Sequence, residues 1–118
     1  MEDLIAKTYD QARTLARTEP RRYVSARAKF APGGLLLAAV TLVFEGNQSW
    51  QQVAQTLADG IFVGYLRNLG LEEDDVPPPL RPFARDLCLR VGNLLVLQAL
   101  RELVARMQDE QHGQPMHN

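Results

Sequence analysis

The sequence predicts an all-α protein, a single compact helical bundle of four to five helices. Three observations predict it. Every long segment carries apolar residues at helical spacing. Helix start and stop signals bracket those segments. No stretch alternates apolar and polar residues over a strand's length. The chain has 118 residues, the usual size of one domain, and residues 1–118 are read as one.

The elements follow in order. Leu4, Ile5, Thr8, Tyr9, Ala12, Leu15 and Ala16 mark a first helix that begins near the acidic Asp3 and ends near Thr18. Thr18-Glu19-Pro20 restarts the chain, because proline suits the first helical position, and a short basic segment runs on through Phe30. Ala31-Pro32-Gly33-Gly34 is a breaker. The run 35–44 is apolar all round and is expected at the centre of the fold. Gly46-Asn47 ends it. Ser49-Trp50-Gln51-Gln52 has the form of a capping box, Ser49 as N-cap and Gln52 reaching back. Val53, Ala54, Leu57, Ala58, Ile61, Tyr65 and Leu69 then give one helix face, and Gly70 fits the position that stops it. Residues 71–82, four acids and then prolines, read as an extended, solvated linker inside the domain. A last helix runs from Phe83 to about Gln108, with Phe83, Leu87, Val91, Leu94, Leu95, Leu100, Leu103 and Met107 as its buried stripe. The tail 110–118 is polar and reads as frayed.

Composition narrows the function classes. Apolar residues make up 46 % and charged residues 23 %, which is globular, not disordered. A net charge of −1 gives no global attraction to nucleic acid or anionic membrane. The longest apolar run is about half of what spans a bilayer. One cysteine, Cys88, and an acidic start in place of a signal peptide's basic end point to the cytoplasm.

Catalysis is weakly supported, so a binding protein is expected rather than an enzyme. The two histidines, His112 and His117, both fall in the tail, where nothing would hold an imidazole as base or metal ligand. Cys88 reads as a small buried core residue. The acids Glu72, Glu73, Asp74 and Asp75 are crowded and flanked by prolines, and a catalytic pair needs two different environments. No phosphate loop is present, since Gly33-Gly34 lacks the following Lys-Ser/Thr. No metal or cofactor is expected.

Two features point to binding. Between residues 13 and 29 lie Arg13, Arg17, Arg21, Arg22, Arg27 and Lys29 against the single acid Glu19, a local net of +5 in a chain of net −1. Such a segment can follow a phosphate backbone. Tyr23 and Phe30, interleaved with it, can stack on bases. The plainer reading is a solvated face whose charges pair with the acidic linker across the fold. Gly60 and Gly64, four apart on one helix face, permit close approach of another helix, inside the bundle or from a partner. A helix-turn-helix over 49–71, with Arg67 and Asn68 as readers, is a further reading, although its glycine is misplaced for the turn.

The order of these elements resembles the small all-helical subunits of multi-subunit CRISPR effector complexes. The likeness covers about 9–107 and rests on Arg21-Arg22-Tyr23-Val24-Ser25, on Pro32-Gly33-Gly34 before the apolar run, on Ser49-Trp50, and on the long last helix. It implies a non-enzymatic scaffold subunit that touches neighbouring copies and contributes basic residues along RNA or single-stranded DNA. Arg21, Arg22, Arg27 and Lys29 would then be contacts, with Arg13 and Arg17 beside them. The slightly acidic chain departs from that pattern. The alternative is a helical protein-interaction module (adaptor, assembly chaperone or inhibitor) that self-associates or binds another protein, without membrane contact.

Overall fold

A computed structural model of the chain describes residues 2–30 and 34–112, with side chains described as far as Asp109. Among these residues there are five α-helices and no strand, so the fold is the all-α bundle that the sequence predicts. The helices are α1 (Glu2–Thr18), α2 (Pro20–Ala28), α3 (Gly34–Phe44), α4 (Trp50–Asn68) and α5 (Arg81–His112). None of them is long and apolar enough to cross a membrane.

The local signals act where they were read. Pro20 opens α2 just after α1 ends at Thr18. The capping box of α4 is complete: Gln52 N–H donates to Ser49 Oγ at 3.2 Å, and Ser49 N–H donates to Gln52 Oε1 at 2.9 Å. At the far end Gly70 takes φ +73°, in the left-handed region where a Cβ is unwelcome. Leu71 N–H then closes on Leu66 C=O at 2.8 Å, and Gly70 N–H on Arg67 C=O at 3.0 Å, which is a Schellman cap.

Several expectations are corrected. Residues 71–82 are not an extended linker. They form two single 3₁₀ turns, Glu73–Asp75 and Pro78–Leu80, and α5 already begins at Arg81. The turns hold because Arg81 donates to the carbonyls of Val76 (2.9 Å) and Asp74 (3.3 Å). At the other end α5 continues to His112, past the start of the expected tail, and residues 113–118 lie outside the described ones. α4 is one continuous helix through Gly60, so 49–71 is not a helix-turn-helix.

The centre of the fold is also not α3. Leu35 is exposed and Leu36, Leu37 and Leu42 are only partly buried. The residues at the centre are Val96, Leu100, Leu103 and Met107 of α5, all fully or almost fully buried. Ile5 and Ala12 of α1, Ala26 of α2, Val40 and Val43 of α3, and Trp50 and Val53 of α4 close around them. α5 is the one element against which every other helix packs.

α4 and α5 form an antiparallel hairpin set by one glycine. A Cβ on Gly92 of α5 would sit 2.5 Å from the carbonyl oxygen of Ala54 and 3.4 Å from the nitrogen of Ala58. Glycine therefore brings the backbones together, with Ala54 and Ala58 as the small residues opposite. Gly60 and Gly64 do not serve this purpose, since a Cβ on either would meet nothing within 4 Å.

The bundle is longer than it is wide, at 60 × 28 × 21 Å. Its radius of gyration is 16.8 Å, against about 13.5 Å for a rounded domain of this length. The cause is α5. With 32 residues it is about 48 Å long, and α1, α2 and α3 gather on the core residues of its second half. The first half pairs with α4 and projects as a two-helix layer.

The glycines give a test. Gly92→Ala should lower stability by about 2 kcal/mol, because the helices must move apart. Gly60→Ala and Gly64→Ala should each raise it by up to about 1 kcal/mol, the helix-propensity difference. Urea unfolding of the three variants measures this, and a neutral Gly92→Ala would contradict the packing described.

Candidate functional site

Two regions are candidates, the basic segment and the outer face of the α4–α5 hairpin. In the basic segment the fold divides the six cations. Arg13 is drawn inward to the end of α3: its Nη1 donates to Val43 C=O at 2.9 Å and its Nη2 to Asn47 Oδ1 at 3.3 Å. The guanidinium also lies 5.6 Å from the ring centres of both Tyr9 and Phe44. Arg13 thus caps a helix whose last turn has no basic residue of its own, and it steadies Asn47, which has φ 54°. Arg22 pairs with Glu19 at 3.0 Å. Arg27 pairs with Glu45 at 2.6 Å, with its Nε–H not aligned for a hydrogen bond. Arg17, Arg21 and Lys29 are exposed. The carbonyl of Lys29 accepts from Arg106 at 3.0 Å.

The two aromatics of the segment face inward. Phe30 is buried, with the Arg106 guanidinium over its ring at 4.7 Å. Tyr23 is half-buried against Phe44, ring centres 5.2 Å apart. Its hydroxyl is buried without a hydrogen-bond partner among the described residues. Burial pushes the Tyr23 hydroxyl above its usual value near 10, and Glu45 adds to this while Arg27 opposes it. Nor, among the described residues, do the arginines of the basic segment pair with the acidic run. That run is engaged locally: Arg85 reaches Glu73 at 2.7 Å and Asp59 of α4 at 3.5 Å, and stacks over Phe62 at 4.7 Å. The hydrogen bond to Glu73 holds the Arg85 guanidinium more firmly protonated still.

The hairpin face is the region that sequence reasoning placed in the core. The buried residues of α4 turn from Leu57 and Ala58 to Phe62 and Leu66, leaving Ile61, Tyr65 and Leu69 on the neighbouring face. The first half of the expected α5 stripe is uncovered as well. Tyr65, Leu69, Phe83, Leu87, Val91 and Leu94 are 43–63 % exposed. All of these but Leu94 border a groove of about 610 Å³ between the two helices, closed at one end by Leu71, Val76, Pro77 and Leu80. Cys88, half-buried rather than in the core, lines it.

The side chain of His112 and the whole of His117 lie outside the described residues. Among the described residues no group of three His, Cys, Asp or Glu side chains is placed to hold a metal ion. No family model, no curated protein and no solved structure matches the chain.

Two outcomes follow for the basic segment. Arg13→Ala should cost about 1–2 kcal/mol in denaturant unfolding, because a charged donor to a helix end is lost. An unchanged midpoint would remove Arg13 from that role. Tyr23→Phe should leave stability equal or slightly raised, since it removes a buried hydroxyl without a partner. It should also flatten the alkaline limb of stability. A tyrosine whose folded value is raised contributes fully below its unfolded value near 10 and loses that contribution as pH rises through the folded one. Thermal unfolding from pH 8 to 11 measures the difference between the two proteins.

Proposed function

We propose that this protein is a helical protein-interaction module, with no chemistry of its own, that docks another helical surface on the outer face of the α4–α5 hairpin. The observation that carries this reading is the uncovered apolar layer: five large side chains, 43–63 % exposed, along one groove of a two-helix hairpin. Helical layers reach stability by burying their apolar face against a second layer. The second half of α5 has that layer in α1, α2 and α3, whereas the stripe Phe83, Leu87 and Val91 of its first half is left exposed beside α4 and the turn 78–80. Large contiguous apolar surface on an otherwise well-packed protein marks a place of association.

Nucleic-acid contact through the basic segment draws less support. Arg13, Arg22 and Arg27 make ion pairs or hydrogen bonds inside the fold, and Tyr23 and Phe30 turn toward the core. Arg17 and Arg21 are the outward arginines of that set.

A photo-crosslinking residue placed at Leu87 tests the reading, with Lys7 on the exposed side of α1 as the comparison position. In cells of the native host, Leu87 should give one discrete adduct that Phe83→Asp suppresses, and Lys7 should give none. Equal adducts from both positions, or none from Leu87, would remove the docking face. Retention of RNA at low salt that is lost on Arg17→Glu with Arg21→Glu, together with a silent Leu87 probe, would put nucleic acid in its place.

A further inference from the structure

We infer that the occupant of this face is an amphipathic helix of a partner protein whose apolar side ends in a lysine or arginine, and that Asp75 receives that cation at the closed end of the groove. The inference rests on reading the hairpin face as a docking surface, and it adds the shape and the charge of what docks.

The shape follows from the walls. From Leu80 to Val91 the groove runs about 16 Å, or about three helical turns. Its floor is set back by two small side chains one turn apart on α5, Ala84 and Cys88, both half-buried. Its rims stand outward: Tyr65 of α4 and Phe83 of α5 are each 63 % exposed. A small molecule on the floor would leave both rings in water. A helix, about 10 Å across, covers the floor and both rims together. It also brings apolar side chains at one-turn intervals along the length.

The charge follows from the closed end. Among the described residues that line the groove, Asp75 alone carries a charge. Its Oδ2 accepts from Glu72 N–H at 2.7 Å. Among the described residues no ion pair is formed by Asp75, nor by its exposed neighbours Glu72 and Asp74. The nearby cations are engaged elsewhere. Arg81 donates to the carbonyls of Val76 and Asp74, and Arg85 is held by Glu73 and Asp59. Arg67 stands with Val63 on the opposite flank of α4 from Ile61 and Tyr65. An apolar groove that ends on an unpaired carboxylate favours an occupant ending in a cation and rejects one ending in an acid.

Display selection of helical peptides on the full chain tests this. The peptides are about 16 residues long, enough to span the groove, with one apolar face fixed and all other positions randomised. Peptides that bind the chain but not its Phe83→Asp variant should carry lysine or arginine in one terminal turn. Asp75→Asn keeps an acceptor for Glu72 N–H, so it should leave thermal unfolding unchanged while weakening those peptides about fivefold. Repeating the selection on Asp75→Lys should turn the same position to glutamate or aspartate. Cys88→Leu, which fills the floor, should weaken every selected peptide more than tenfold. Selected peptides without a terminal cation, or with an affinity that Asp75→Asn leaves intact, would overturn the inference and leave the docking face standing. Failure to select any peptide would also overturn it, and the docking face falls with it only where the Leu87 probe is silent in cells as well.

Discussion

The near-contact of Gly92 with the carbonyl of Ala54 is the constraint on which the rest of the molecule depends. Helix pairs usually lie 8–10 Å apart, and only small residues let them approach to the near end of that range. Here Gly92, Ala54 and Ala58 supply the small surfaces. No bulky side chain fits between the backbones at that level. The large ones, Ile61 and Tyr65 on one helix and Leu87 and Val91 on the other, are left to flank the seam and so form the walls of a groove. The turns then lock the open end. Arg85 bridges α4 and the first turn, while Arg81 holds the carbonyls of the segment between.

α5 carries two apolar stripes, and they do not lie on one side. Phe83, Leu87, Val91 and Leu94 form the first. Val96, Leu100, Leu103 and Met107 form the second. The step from Leu94 to Val96 is two residues, about 200° around the axis. One stripe therefore faces the core while the other faces away. A helix built this way serves two layers in succession, first at its own hairpin and then at the core with α1, α2 and α3.

Much of this was legible in the sequence and some of it was not. Pro20, the Ser49–Gln52 box and Gly70 were readable because each acts through its own neighbours along the chain. The glycine that packs was missed. Gly60 and Gly64 advertise a motif by their spacing, whereas Gly92 is single, and its partner is a carbonyl 38 positions earlier. The exposure of Phe83 and Leu87 was missed because periodicity shows that a face is apolar, not what covers it. The 200° break in α5 was the available signal. The basic segment shows the same limit, since a tally of charge along the chain has no knowledge of where helices end. Arg13 is thirty residues from Val43 in sequence and bonds to its carbonyl because α3 stops beside α1.

The two glycines of α4 have one more consequence. Each gives up helix stability of about 1 kcal/mol against alanine and returns no packing inside the chain. They sit in the half of α4 that borders the groove, beyond the part anchored by Trp50, Val53 and Leu57 in the core. The opposite wall belongs to a 32-residue helix whose far half is fixed in that core. The groove thus has one stiff wall and one compliant wall. Local opening of a few α4 turns would adjust its width without disturbing the core, so the docking face proposed above is built on the weaker helix former of the pair.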